Sequence, residues 1–374
     1  MVRLSIPSSG KKGILLFKHL EMDVLLGLNH LKPSFLKKIK EEYIIGLYFG
    51  FIQSFNLKLD FIDFIVSEKS TLKNYNEINS IPIIHLSGNC FLSENLISYK
   101  SDYKPFDILG IFNAQIHKRL IDFLKISVKL NSLSRREILL ITYGDENDLL
   151  RLKKQIKLFD THYLPEILWV NNLSNNLYPL SNDYICRMIS LSKSILLTSK
   201  KEGASRFVAE SFTLGSHIFL NKDLEGGTID KLKNYPNDHT QYETLDEAVE
   251  KINFFLDDYK LKKQKIKSDF LAKNSIEKLI KFLALNFKNI NTDLEKFKSN
   301  YSFVIPSHIN IIPKKYTNSK DDRFIYTHKL IKYLKIISNN TIYIKVSPRI
   351  IIHDIKISTK IVLKKLYKIL FQRN

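Results

Sequence analysis

SILLTSKKEGASRFVAESFTLGSHIFLNKDLEGGT, residues 194–228, decides how this chain is read. Positions 194–198 form a short apolar run of strand length, bounded by the polar stretch Lys200-Lys201-Glu202-Gly203. Positions 207–214 repeat apolar residues with helical spacing, and Gly215 supplies the stop signal. Positions 218–221 are again apolar and strand-like, and Gly226-Gly227 marks a turn. Strand, loop, helix, Gly and strand in that order predict half of a doubly wound parallel sheet.

The same alternation extends outward. Upstream, 106–110 (FDILG) reads as a strand closed by Gly110, and 118–129 as a helix with Leu120, Phe123, Leu124 and Val128 on one face. A strand over 138–143 stops at Gly144, and the helix over 145–158 opens on acidic residues that suit its N-terminus. A strand follows at 167–170, with Trp169 expected in the core, and Ser181 opens a helix ending near Ser192. Downstream, 245–259 and 270–287 read as helices. Before the SDYKP linker at 101–105, strands are expected at 13–18, 61–66 and 81–84, with helical spacing over 33–55.

In a doubly wound sheet, ligands gather where strands end and helices begin. A loop feeding a helix N-terminus offers backbone N–H groups and a positive dipole end to a phosphate. Gly203 allows close approach of the chain. Glu202, in that loop, can reach hydroxyls of a sugar beyond the phosphates. Glu210, inside the helix, can accept hydrogen bonds from paired ribose hydroxyls. The spacing of these two glutamates is weak by itself, because helix-surface solvation places carboxylates in the same way; their context is the stronger signal.

That context resembles the donor-binding half of retaining glycosyltransferases of the two-Rossmann-domain (GT-B) type, family 4. The matching residues are Ser199, Glu202, Gly203, Glu210 and Gly215. The resemblance implies that Glu202 lies by the donor sugar and Glu210 binds the ribose. It further implies that Gly203, Ala204, Ser205, Arg206 and Phe207 line the sugar diphosphate. The stretch 106–126 looks like the entry to the same half-domain, where a strand ends in Gly and nearby cations bind the diphosphate. Gly110, Lys118 and Arg119 take those places, with Ile111 standing where Arg is common. VSEKS (66–70) and IIHLSGNCF (83–91) resemble the crossing from the acceptor half to the donor half. The family's N-terminal active-site His has His19 and His30 as its candidates.

The implied fold is therefore α/β and GT-B-like: two Rossmann-type units with doubly wound parallel sheets, the N-terminal one reduced. The implied divisions are an acceptor-side unit at 1–100, a donor unit at 101–290 and a basic extension at 291–374. The implied activity is metal-independent, retaining transfer from a nucleoside-diphosphate-sugar to a glycan or lipid-linked acceptor, without a further cofactor. Surface polysaccharide or glycoconjugate synthesis is the expected setting. A sugar-nucleotide epimerase or a catalytically degenerate binding protein is the alternative. No D-x-D triplet occurs, which disfavours the metal-dependent single-domain class, and Walker, H-E-x-x-H and C-x-x-C motifs are absent. The acidic run 145–148 is explained by a helix N-terminus.

Composition bounds the remainder. Two cysteines exclude a disulfide framework and fit a reducing, cytoplasmic compartment. No stretch reads as a signal peptide or a membrane span. The formal charge is +20, and residues 314–374 carry fifteen Lys/Arg against three Asp. That concentration suits an anionic membrane surface at the inner leaflet. Nucleic acid is disfavoured because no aromatic-basic module accompanies the charge.

Overall fold

The computed structural model describes residues 2–5, 7–18, 33–48, 61–72, 81–134, 136–171, 180–203, 205–226, 229–261 and 267–292. His19, His30, Ala204, Gly227 and the basic extension from residue 293 lie outside the described residues.

The first sheet holds β1 (Val2–Ser5), β2 (Gly13–Lys18), β3 (Tyr43–Tyr48), β4 (Phe64–Val66) and β5 (Ile83–Ile84), side by side in chain order. β1 pairs with β2 antiparallel, and every other pairing is parallel. The helical spacing read over 33–55 needs correction: helix α1 covers Pro33–Glu42 and the chain turns directly into β3. PSFLKKIKEE gives way to YIIGLY, whose residues Tyr43–Leu47 are all buried. A strand sandwiched in a parallel sheet needs that continuous apolar run. Gly46 is required by packing, since a Cβ there would sit 2.3 Å from the Phe64 ring.

The second sheet is entirely parallel. It contains β6 (Phe106–Asn113), β7 (Ile138–Gly144), β8 (Glu166–Asn171), β9 (Ser192–Leu197), β10 (His217–Asn221) and β11 (His239–Tyr242), in the order β11-β10-β9-β6-β7-β8. The chain thus starts at the centre, winds outward through β7 and β8, then returns beside β6 and winds the other way. Helices α2 (Leu120–Leu133), α3 (Glu146–Ile156), α4 (Asn182–Ser190) and α5 (Arg206–Leu214) connect these strands, α2 burying Leu120, Phe123, Leu124, Ile126 and Leu130. Full burial of a side chain such as Phe123 contributes about 1.5–3 kcal/mol. The helix starts follow their caps: Asp145 accepts from the Asp148 N–H and Ser181 from the Tyr184 N–H. Gly215, with φ of 87°, ends α5 in the left-handed conformation.

Two further expectations are corrected. β6 does not end at Gly110 but runs three residues on, to Asn113. Trp169 is half-buried on β8, an edge strand, where Lys153 lies 5.1 Å from its ring centroid. β11 was not legible in advance, because HTQY carries little apolar character and pairs at the sheet edge.

The two units are joined by two crossings that pair with each other. The Leu92 N–H donates to the Phe270 carbonyl at 2.8 Å and the Ala272 N–H to the Leu92 carbonyl at 2.9 Å. Between them come the short helix α6 (Ile229–Leu232) and α7 (Leu245–Asp257). The last helix among the described residues, α8 (Ala272–Asn286), packs back on the first sheet, where Ile276, Leu279 and Leu283 share a core with Ile14, Leu16, Phe64 and Val66.

Candidate functional site

The winding of the second sheet reverses between β6 and β9, and the chain segments leaving those two strands meet there. After β6, a 3₁₀ turn at Ile116–Lys118 is followed by Arg119 in the left-handed region (φ 52°, ψ 41°). After β9, the Thr198 hydroxyl donates to the carbonyls of Lys118 (3.2 Å) and Arg119 (3.1 Å), which locks one turn against the other. With Arg119 in the left-handed region, the side chains of Lys118 and Arg119 take different partners. Lys118 Nζ reaches Glu202 Oε1 at 2.7 Å, whereas Arg119 pairs with Asp122 on its own helix. Of the two cations that the sequence offers to a diphosphate, Lys118 meets the Glu-Gly loop.

Glu202 Oε1 also accepts from the buried Ser199 hydroxyl at 2.7 Å. Its backbone is clamped from below. The Glu202 N–H donates to the Glu225 carbonyl at 3.0 Å, and the Glu225 N–H to the Lys200 carbonyl at 2.8 Å. Gly226 has φ of 122°, and a Cβ there would fall 1.5 Å from the Glu202 carbonyl oxygen. No other residue fits that position without moving the loop.

Ser205 caps α5 by accepting from the Val208 N–H, so the loop of Glu202 and Gly203 runs directly into the helix N-terminus. One turn on, Glu210 is buried, and its Oε1 accepts from Arg206 Nε at 2.6 Å. Burial pushes the Glu210 carboxyl above the ordinary carboxylate range, and Arg206 opposes that shift. Arg206, expected to contribute its backbone, thus contributes its side chain as the counter-charge of Glu210. Phe207 is half-buried against the main core. Gly110 is buried mid-strand, and a Cβ there would lie 2.5 Å from the Phe123 ring, so its missing side chain serves packing between β6 and α2.

Four further residues, His117, Asp230, Lys231 and Glu68, are given no individual role by the sequence. His117 precedes Lys118 on the exposed side of the turn; partial desolvation and Lys118 hold it below the ordinary histidine value, while Glu202 and Asp148 pull the other way. On α6, Asp230 Oδ2 accepts from the Ser70 N–H (2.9 Å) and hydroxyl (3.1 Å) of the N-terminal unit. Beside it, Lys231 Nζ lies 2.6 Å from Cys90 Sγ and 3.9 Å from Glu68 Oε1. Glu68 is buried and accepts from Ser87 Oγ at 2.7 Å; burial raises its carboxyl, with Lys231 opposing. VSEKS marks this place in the sequence, but its buried carboxylate becomes apparent only when the two units are packed together.

A polar cavity of about 350 Å³, lined by Asn131, Arg136, Glu137, His162, Tyr163 and Glu166, lies where β7 and β8 begin. It is at the other end of the sheet from Glu202, and parallel sheets place their ligands at strand C-termini.

No protein-family model and no curated protein matches the chain. Among solved structures it is similar to TarM, at 13 % identity and a TM-score of 0.47, over 77 % of this chain and 54 % of that one. It is similar to the GtfA/B complex, at 13 % identity and a TM-score of 0.44, over 72 % and 54 % of the two chains. It is also similar to a UDP-forming α,α-trehalose-phosphate synthase from Burkholderia xenovorans, at 11 % identity and a TM-score of 0.47, over 78 % and 74 %. The chain spans about half the length of the first two.

Proposed function

We propose that the chain transfers a sugar from a nucleoside-diphosphate-sugar to an acceptor hydroxyl, with retention and without a metal ion. The observation that carries this reading is the meeting of Lys118 and Glu202 at the reversal point of the second sheet, beside the N-terminus of α5. Strand reversal makes a crevice, the helix start favours phosphate, and the ion pair puts one cation and one carboxylate at the crevice.

In the proposed reaction the bond from the sugar's anomeric carbon to the diphosphate oxygen breaks, and its electrons go to the diphosphate. The acceptor oxygen bonds to the anomeric carbon on the same face, and its proton passes to the departing phosphate oxygen. Lys118 offsets the charge that grows on the diphosphate, so its contribution is largest in the transition state. Glu202 holds the sugar through its hydroxyls. Glu210 accepts from the ribose, and the backbone from Gly203 to Phe207 faces the phosphates. Lys118 and Glu202 pair with each other, so a donor bound there exchanges one set of partners for another.

The acceptor is a glycan or a lipid-linked glycan, and the pathway is surface polysaccharide or glycoconjugate synthesis. The basic run of residues 314–374 supports a place at the inner face of a membrane. Among the described residues no helix is long and apolar enough to cross one.

A second reading, a protein that binds or epimerises nucleotide-sugars without transfer, draws on the fact that each glutamate already has a cation, Lys118 or Arg206. A panel of nucleotide-sugars scored by thermal shift tests the binding that both readings share. A ligand at about 100 times its dissociation constant adds roughly 2.7 kcal/mol of stability. Donor turnover with and without an acceptor extract then separates the two. Transfer requires sugar to appear on the acceptor; a donor bound but never consumed in acceptor's presence overturns it.

A further inference from the structure

We infer that Asp230 and Lys231 are positioning residues for the transfer proposed above, fixing Glu202 according to how the N-terminal unit sits against the second unit. The inference rests on that reading for its chemical consequence, though not for its structural test.

The connection is short and made of named bonds. The Glu202 N–H is held by the Glu225 carbonyl, and Gly226 is pressed against the Glu202 carbonyl so closely that no side chain fits. The Ile229 N–H donates back to the Gly226 carbonyl at 3.2 Å, so α6 begins where this clamp ends. The next two residues face the other unit. Asp230 takes both the backbone N–H and the hydroxyl of Ser70, just beyond the end of β4. Lys231 is set between Cys90 and Glu68 of the N-terminal unit and the Asp269 carbonyl of the second crossing, which accepts from it at 3.3 Å; its Nζ also lies 5.2 Å from the Phe270 ring centroid.

The charges give this contact a preferred position. Glu68 is buried, and Lys231 is the cation that reaches it, with a side chain only 13 % exposed. Separation of the units would strip Glu68 of its counter-charge and take the paired donors of Ser70 from Asp230, so the docked arrangement is favoured over a loosened one. The Ile229 N–H bond to the Gly226 carbonyl ties the contact to the clamp, and through it a shift of the N-terminal unit reaches the backbone of Glu202. A displacement of about 1 Å at a reacting group can cost on the order of a hundredfold in rate.

The test uses the full chain, with Asp230→Asn, Lys231→Met and Ser70→Ala, and with Lys231→Arg as the variant that keeps the cation. Hydrogen exchange is read on peptides covering residues 200–206, with the β9 amides as internal reference. Asp230→Asn and Lys231→Met should speed exchange of the Glu202 segment by roughly tenfold or more while β9 keeps its rate. Ser70→Ala, which leaves the backbone donor in place, should do so less, and Lys231→Arg should restore most of the protection. On a donor that the parent turns over, kcat should fall by about tenfold or more with the donor KM within about threefold, because Glu210 is paired with Arg206 and not with Asp230 or Lys231. Unchanged exchange at 200–206 in the first two variants overturns the coupling, as does equal acceleration in β9, which marks a general loss of stability. A parent that consumes no nucleotide-sugar refutes the transfer reading instead, and the exchange result still decides the coupling.

Discussion

Lys118 Nζ lies 2.7 Å from Glu202 Oε1, across 84 positions of sequence, and joins the turns that follow the two strands flanking the reversal of the second sheet. The pair is partly shielded, with side chains 23 % and 12 % exposed. Its geometry depends on Arg119 in the left-handed region, a conformation that costs a residue with a Cβ about 1–2 kcal/mol. Thr198 bonding to both carbonyls of that turn stabilises it.

Lys118→Met should remove most turnover while leaving nucleotide affinity within a few-fold. Loss of a charge-assisted interaction that strengthens in the transition state costs about 1.5–3 kcal/mol, or roughly 10- to 150-fold in kcat. Glu202→Gln should act in the same direction, because the amide keeps the shape but weakens the contact to sugar hydroxyls. Arg119→Met, whose side chain is engaged by Asp122, should retain turnover within a few-fold of the parent. Steady-state kinetics on the three variants checks this. If Arg119→Met loses as much as Lys118→Met, the separation of the two cations seen here does not describe the working site.

Glu210→Ala should weaken binding of UDP and GDP alike, by about 1.5–3 kcal/mol for each hydrogen bond lost to a ribose hydroxyl. Calorimetric titration measures it directly. Arg206→Ala tests the same site through stability: it leaves Glu210 buried with no counter-charge, and the urea midpoint should fall by the equivalent of about 3–5 kcal/mol or somewhat less, since Arg206 is itself 31 % exposed. Equal nucleotide affinity in parent and Glu210→Ala would remove Glu210 from the ribose.

Glu68 and Glu210 give the protein a pH signature. Burial is the main cause that raises each carboxyl above its ordinary value of 4.5. With pKa raised in the folded chain, the folded state holds more protons than the unfolded one just above pH 4.5. The stability they contribute is therefore present at lower pH and is lost as pH rises through the folded values. Glu68→Gln with Glu210→Gln should flatten that decline when urea midpoints are compared from about pH 4 to pH 8. An unchanged slope would mean that neither carboxyl is perturbed.

The parts of this site that were legible in the sequence are those fixed locally. Glu202 and Glu210 stand on one strand–loop–helix segment, so their spacing and the Gly215 stop locate them with no knowledge of the rest of the chain. Lys118 could be named as a candidate but not separated from Arg119, because the separation comes from one residue's left-handed backbone. The turn from α1 into β3 was missed because KKIKEEYIIGLYFGF keeps an apolar spacing compatible with a continuing helix. Whether Tyr43–Leu47 would be buried on both faces depends on strands far away in sequence. The contact of Asp230 and Lys231 with Ser70 and Glu68 spans 160 positions at one pair and needs two units docked together, which no local pattern announces.

The last prediction concerns the basic extension. Residues 358–374, STKIVLKKLYKILFQRN, can form a helix with Ile361, Leu366, Ile369 and Leu370 on one side and Lys360, Lys364, Lys365 and Lys368 across the other or beside it. A basic amphipathic helix of this kind suits an anionic bilayer, where each cation near the surface contributes about 1 kcal/mol. Removal of residues 314–374 should abolish sedimentation with vesicles containing phosphatidylserine while leaving UDP or GDP affinity unchanged, because the candidate site is built from residues within 110–226. Raising salt should release the intact chain from the same vesicles, since the attraction is screened within roughly 8–10 Å at physiological ionic strength. The competing arrangement is a terminal helix packed on the protein's own core. A truncated chain that turns insoluble, or one that still sediments with the vesicles, would establish that the extension belongs to the fold and that the membrane contact lies elsewhere.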